Sequence, residues 1–320
     1  MNQRLSPFAL RDTQQLRPGK FVDPLRTAKG EDRAHVALKG LSTLWFNTGT
    51  LCNLACKSCY IESSPTNDAL AYLSLDDVLP YLDEIERDNL PTREIGFTGG
   101  EPFMNRAMVP MIQLCLDRGF EVLVLSNAMR PMRRFEAGLL ALEGRERLTI
   151  RVSLDHYTQA IHEAERGPDS WNKAIEGLVW LAQNGFNISV AGRHLGYEPE
   201  TIAREGYRSL FEMYALRIAA DNSAQLVLFP EMDETADTTE ISTGCWSTLS
   251  VDPASMMCAS SRMVVKRNGE AASRVAACTL LPYQADFDIG STLAEASRDV
   301  QLNHPHCARF CVLGGASCSV

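Results

Sequence analysis

The chain has 320 residues, enough for one large domain and a small annex, and its 45% hydrophobic and 22% charged residues give ample material for a core. Lys and Arg number 31 against 40 Asp and Glu, and the net charge of −9 argues against a general nucleic-acid binder. No apolar run reaches the length of a membrane span, and the start, MNQRLSPFALRDTQQLRPGK, has no continuous apolar segment of the secretory kind, so a cytoplasmic location is expected.

In chain order, the first forty residues are polar with mixed charge and read as a strap across the outside of the main domain. Strands are predicted at 44–47, 94–97, 121–125, 148–153, 187–190 and 225–229. Most are apolar on both faces, as in a parallel sheet covered by helices. Between them, Ser74 and Asp77 suit the capping box of a helix over 75–87. Ser170 is the expected cap of a helix over 171–184, with Ala174, Leu178 and Leu181 as its apolar stripe and Gly185 as its stop. Pro80 and Pro110 fall inside helical patterns and are expected to kink or delay them. Six β/α units in series imply an α/β fold, a partial (β/α)6 TIM-type barrel with chemistry at the carboxyl ends of its strands. From about Thr235 the pattern gives way to a small, loop-dominated, Cys-rich C-terminal domain. The division is 1–40 strap, 41–234 barrel and 235–320 tail.

Ten cysteines are unevenly placed: Cys52, Cys56 and Cys59 lie together, six lie between Cys245 and Cys318, and Cys115 stands alone. Without an export signal, thiols grouped this way point to metal ligation rather than disulfides. Cys115, in the run Leu114-Cys115-Leu116, reads as buried packing. The strongest signal is LWFNTGTLCNLACKSCY, which sets Cys52, Cys56 and Cys59 at Cys-x3-Cys-x2-Cys just after the first strand. Three such thiolates can hold three irons of a cubane cluster and leave the fourth open to a chelating ligand. A three-thiolate zinc site and a fortuitous group of core cysteines are the competing readings.

These residues resemble the radical SAM superfamily, whose signature is this spacing after the first strand of a partial barrel. The resemblance runs from Ser42 to Phe229 and continues at each later strand end. Thr98-Gly99-Gly100-Glu101-Pro102 looks like the family's motif for the amino group of S-adenosylmethionine, since glycines expose backbone and a carboxylate accepts from an ammonium. Ser126, Asn127, Ser153 and Asp155 match positions that face the ribose, and Arg166 of HEAERG matches one that holds the methionine carboxylate. The residue before the third cysteine, often an adenine contact in the family, is Ser58 here; Tyr60, on the other side of Cys59, either supplies that contact or packs in the core.

The tail is similar to SPASM and twitch extensions: Cys258, a hairpin turning at Asn268-Gly269, Cys278, then Cys307, Cys311 and Cys318. Four thiolates complete a cluster, so the resemblance implies one auxiliary [4Fe–4S] cluster drawn from these five, with Cys245 a sixth candidate. A zinc knot using Cys307, Cys311, His304 and His306 competes; otherwise the histidines form a polar turn around Pro305.

The resemblance implies reductive cleavage of S-adenosylmethionine at a [4Fe–4S] cluster, hydrogen abstraction from a peptide or small metabolite, and net oxidation or cross-linking. It also implies an electron donor such as flavodoxin or ferredoxin. Cys245, if not a ligand, is a candidate hydrogen-atom donor. Arg193-His194 after the fifth strand suits a substrate or cofactor contact or a solvated loop, and Glu231, Asp233 and Glu234 suit a cationic substrate or a solvated run. The first forty residues are too few for the peptide-recognition module of many maturases. Rival readings from other classes are a non-catalytic iron–sulfur electron carrier and a zinc-stabilised binding module.

Overall fold

The computed structural model describes residues 6–9 and 14–318. Part of the expected strap therefore lies outside the described residues. Six parallel strands form the frame: β1 (Thr43–Asn47), β2 (Glu94–Thr98), β3 (Glu121–Ser126), β4 (Leu148–Ser153), β5 (Asn187–Arg193) and β6 (Leu226–Phe229). They pair in sequence order, with Thr43 opposite Glu94, Val122 opposite Leu148 and Val190 opposite Leu226. Leu44, Phe46, Ile95, Phe97, Val124, Ile150 and Val152 are all buried, which is why these strands read as continuous apolar runs rather than alternating ones.

Helices α1 (Leu75–Arg87), α2 (Met108–Asp117), α3 (Gln159–Arg166), α4 (Ser170–Gln183) and α5 (Glu200–Met213) fill the crossovers. The Ser74–Asp77 box forms, with the Ser74 backbone N–H donating to Asp77 Oδ2 at 2.9 Å. Pro80 does not break α1; the carbonyl it leaves without a helical donor is that of Asp76, an exposed residue. Pro110 sits in the first turn of α2, where its missing N–H has no helical partner to lose. Ser170 is not the cap of α4. Asp169 caps it from a left-handed conformation (φ 59°), while Ser170 is the first helical residue and donates its hydroxyl to the Gly167 carbonyl at 2.7 Å.

The tail is less loop-dominated than its composition predicts. β7 (Ser261–Val265) pairs parallel with β1 on the edge away from β2, placing Thr43 opposite Ser261. β8 (Arg274–Ala276) returns antiparallel as the expected hairpin partner, with Gly269 at φ 84° in the turn, and β9 (Asp288–Gly290) follows. The result is one nine-stranded sheet in the order β9-β8-β7-β1-β2-β3-β4-β5-β6.

The described part of the strap bonds to two tail segments. Ala34 N–H donates to the Ile241 carbonyl at 2.9 Å, and His35–Val36 pair with Val300–Gln301. Its anchor is Arg33, whose fully buried guanidinium meets Glu240 at 2.6 Å while Glu240 also accepts from the backbone of Phe21 and Ala28. Removing one partner of such a pair strands a buried charge. Glu240→Ala should therefore lower stability by about 3–5 kcal/mol in urea unfolding, with Glu240→Gln losing less.

Candidate functional site

The loop after β1 carries Cys52, Cys56 and Cys59 to a cavity at the carboxyl ends of the strands. Cys52 is buried and the other two are half-buried. The cavity is completed from each strand end in turn: Gly99 and Gly100 after β2, Ser126 and Asn127 at β3, Ser153 and Asp155 at β4, and Arg193 at β5. Arg166 at the end of α3, and Tyr60, reach it as well.

The paired glycines do something the motif alone does not reveal. A Cβ on Gly100 would lie 2.2 Å from the Leu51 carbonyl oxygen, and one on Gly99 would lie 2.6 Å from that of Gly49. Their bare backbones are used first to let the turn press against the cysteine loop, sealed by Gly100 N–H to Gly49 O at 2.8 Å and Glu101 N–H to Leu51 O at 3.2 Å. Gly99 also takes φ 143°, which other residues rarely adopt.

Glu101 was expected to face the cavity, and it does not line it. It is 2% exposed, and its carboxylate accepts from Ser126 Oγ at 2.9 Å and from the backbone N–H groups of Asn127 at 2.8 Å and Phe103 at 3.2 Å. Burial outweighs these bonds and pushes its carboxyl up to about 7. Glu101 thus bolts the end of β2 to the end of β3, and Asn127 Nδ2 extends the tie to Asn53 on the cysteine loop at 2.9 Å.

Asp155 is the electrostatic hinge. Arg166 grips it with Nε at 2.7 Å and Nη2 at 3.0 Å, and Arg193 Nε adds a contact at 3.4 Å. Burial opposes the charge of Asp155, but the two guanidiniums overcome it and hold the carboxyl at about 2. Arg193 further donates to the Ser58 carbonyl at 2.7 Å and lies over the Tyr60 ring, 4.7 Å from its centroid. Ser58 is engaged by Glu165, which accepts from its backbone N–H and its hydroxyl, both at 2.6 Å. Tyr60 is the neighbour of Cys59 that faces the cavity, packed edge-on to Phe229 and Phe310.

Four tail thiols, Cys258, Cys278, Cys307 and Cys311, line a second, apolar cavity. Cys307 and Cys311 come from one π-helical segment, Cys307–Val312. Burial pushes Cys258 up to about 11, Cys278 up to about 12, and Cys307 and Cys311 well above the usual thiol range. In the first cavity it likewise pushes Cys52 to about 12 and Cys56 to about 11. Thiols so placed ionise when a bound metal supplies the positive charge.

Cys318 lines the first cavity, and its sulfur accepts at 3.4 Å from Thr279, the neighbour of Cys278. Cys245 lines neither cavity. Its sulfur accepts from the Ser242 backbone N–H at 3.4 Å. Cys115 is fully buried in α2, as expected. Among the described residues the one group of three metal-ligand atoms within 4.8 Å of one another is Glu234, His304 and His306. His304 Nδ1 accepts from the His306 backbone N–H at 3.1 Å, which leaves the ring proton on Nε2 facing Glu234 at 3.5 Å, so these residues form the polar turn around Pro305.

Three thiols on one loop at the first cavity and four around the second are counts that suit one open and one fully ligated multi-iron cluster.

Sequence reading missed Asn53, Glu165 and Thr279, whose contributions depend on contacts distant in the chain, and it left Arg193 undecided. The glycine contact gives a direct test. Gly100→Ala should cost roughly 1–3 kcal/mol and reduce iron uptake on anaerobic reconstitution, because the Leu51 backbone has to move. Gly196→Ala, which meets nothing within 4 Å, should change urea stability by less than about 0.5 kcal/mol.

The Radical SAM superfamily profile matches residues 46–207, half of the chain. The antilisterial bacteriocin subtilosin biosynthesis protein AlbA of Bacillus subtilis (strain 168) is 28% identical over 141 residues, covering 44% of this chain and 30% of AlbA. The mycofactocin maturase MftC of Mycobacterium tuberculosis (strain ATCC 25618 / H37Rv) is 30% identical over 135 residues, covering 42% of this chain and 33% of MftC. Each of these matches spans about a third of the relative's length. Among solved structures, anSMEcpe with bound AdoMet superposes with a TM-score of 0.56 at 13% identity, covering 80% of this chain and 77% of that one. SuiB of Streptococcus suis bound to S-adenosylmethionine gives 0.54 at 11% identity, covering 77% and 62%. The likeness to these two is one of fold. No helix among the described residues is long and apolar enough to cross a membrane. The chain belongs to the radical SAM superfamily of enzymes, which use a [4Fe–4S] cluster and S-adenosylmethionine, and it carries a SPASM/twitch-like cysteine-rich C-terminal extension.

Proposed function

We propose that this protein abstracts a hydrogen atom from a peptide substrate, with residues 41–234 carrying the chemistry and residues 235–320 carrying an auxiliary site. The observation that supports this most is the shared cavity: three sulfurs on one loop open onto the same space as the glycine turn and the polar strand ends. An iron–sulfur carrier has no use for that polar chamber. A reduced [4Fe–4S] cluster held by Cys52, Cys56 and Cys59 would supply an electron to the sulfonium of S-adenosylmethionine, the chemistry that yields methionine and a 5′-deoxyadenosyl radical.

In this reading Cys52, Cys56 and Cys59 hold the catalytic cluster. The backbone of Gly99 and Gly100 receives the amino group, with Glu101 as a positioning residue behind it. Ser126, Asn127, Ser153 and Asp155 orient the ribose, Arg166 takes the carboxylate, and Tyr60 borders the adenine. Asp155 stays ionised between its two arginines and so keeps both guanidiniums in place at neutral pH. Cys258, Cys278, Cys307 and Cys311 hold the auxiliary [4Fe–4S] cluster, and a flavodoxin or ferredoxin delivers electrons. A peptide substrate is favoured over a small metabolite because the matched relatives include a bacteriocin biosynthesis protein and a maturase. A radical on that peptide has two exits: electron loss toward the auxiliary site gives oxidation or cross-linking, and gain of a hydrogen atom gives a redox-neutral change.

Anaerobic reconstitution of the full chain should yield about eight irons, four per cluster. Reduction with dithionite in the presence of S-adenosylmethionine should release 5′-deoxyadenosine, read by chromatography. Replacing Cys52, Cys56 and Cys59 together by alanine should abolish that release and leave about four irons in the tail. Release that survives the triple replacement refutes the assignment.

A further inference from the structure

Ser6-Pro7-Phe8-Ala9 has the order of a β-turn, serine first and proline second, and the Ala9 N–H closes it on the Ser6 carbonyl at 3.0 Å. The turn belongs to the strap but lies against the barrel's cysteine loop. Ser6 Oγ donates to Glu165 Oε2 at 2.6 Å. Phe8 is 3% exposed, and the guanidinium carbon of Arg193 lies 5.6 Å from its ring centroid.

Glu165 and Arg193 are both buried, and they hold one residue between them. Ser58 immediately precedes Cys59. Glu165 Oε1 accepts from its N–H and its hydroxyl, and Arg193 Nη2 donates to its carbonyl at 2.7 Å. Each jaw of this clamp is backed by the strap, Glu165 by Ser6 and Arg193 by Phe8. A buried carboxylate oxygen that loses its donor costs free energy, which favours turning the group toward water. The Arg193 guanidinium lies over the rings of both Tyr60 and Phe8, and the loss of one ring opens it to solvent. The start of the loop is fixed independently by the Gly99–Gly100 seam, so the strap's grip falls on the end that carries the third sulfur.

Building on the radical SAM reading above, we propose that Ser6 and Phe8 are positioning residues that keep Cys59 in place for the cluster it holds. The strap is then a working part of the catalytic site as well as a tie between barrel and tail. Neither residue lines the chamber; they act through Glu165 and Arg193. Through Arg193 the same grip reaches Asp155 and Tyr60, and so bears on S-adenosylmethionine. The four tail sulfurs belong to the second cavity and lie outside its reach.

The test is read on the reconstituted full chain, where each cluster is the control for the other. Iron release to excess bathophenanthroline disulfonate is followed anaerobically after reduction. In the Ser6→Ala/Phe8→Ala protein, about four of about eight irons should leave roughly tenfold faster than in wild type, as when partners of metal ligands are lost, and the rest at the wild-type rate. Ser6→Ala alone, the milder change, should show the same selectivity. Ser6→Thr and Phe8→Tyr, which keep the hydroxyl and the ring, should release iron as wild type does. In the reduced double variant, the change that S-adenosylmethionine makes in the electron paramagnetic resonance spectrum should need more S-adenosylmethionine, with the auxiliary signal unmoved. Equal acceleration of both sets of iron, which general loosening of the fold would give, or no acceleration at all, overturns the inference. A wild-type spectrum that does not respond to S-adenosylmethionine overturns the radical SAM reading, and the iron-release comparison still decides the role of Ser6 and Phe8.

Discussion

The cysteine loop has no regular secondary structure of its own, and what locates it is a backbone contact. The Gly99–Gly100 turn presses against the carbonyls of Gly49 and Leu51 with no side chain between them, and two backbone hydrogen bonds close the seam. Any other residue at Gly100 would put a Cβ inside the Leu51 carbonyl. The loop's other ties follow from that seam: Glu101 clamps β2 to β3, Asn127 reaches Asn53, and Glu165 holds Ser58 beside Cys59. A site that has to hold three sulfurs around one object depends on such a rigid second set of contacts to keep them in place.

Charge in the chamber is organised around one buried carboxylate. Asp155 lies between Arg166 and Arg193, and through Arg193 it is linked to the Ser58 carbonyl and the Tyr60 ring. Buried arginines without such a partner would be unstable, and a buried aspartate without them would take up a proton. The arrangement therefore fixes the position of two cations in a low-dielectric space, where they interact strongly with an anionic group. It also explains why Ser58 departs from the usual residue type before the third cysteine. Its hydroxyl and N–H are needed by Glu165, and the ring that faces the cavity comes from Tyr60 instead.

Much of the barrel was legible because its cause is local. Runs such as 121–125 and 148–153 are apolar on both faces, and the Cys-x3-Cys-x2-Cys spacing is a property of eight consecutive residues. What was not legible depends on partners far along the chain. The Asp169 cap arises because Ser170 turns back to Gly167, a choice between two adjacent polar residues that pattern does not decide. Strand β7 reads as a hairpin flank, and its parallel pairing with β1 is a contact between Thr43 and Ser261. Cys318 follows Cys307 and Cys311 closely enough to look like a third ligand, yet Arg151 on β4 draws its backbone into the barrel.

The pairing of β7 with β1 has a consequence for how the two sulfur sets communicate. Cys52 leaves the end of β1, Cys258 enters β7, and Cys278 follows β8, so one sheet fixes the relation between the two cavities. Leu280 borders both of them. A charge placed in one cavity is then felt in the other through protein rather than water, because the wall between them is apolar and buried. The tail and barrel are in this sense two ends of one hydrogen-bonded ladder, and the geometry of either cavity is only as good as that ladder. The strap adds to the same end, since Arg33 and Glu240 tie it to the segment just after β6 and His35–Val36 pair with a tail strand. The two cavities thus meet at Leu280, and packing around it and Thr279 sets how closely their contents can approach.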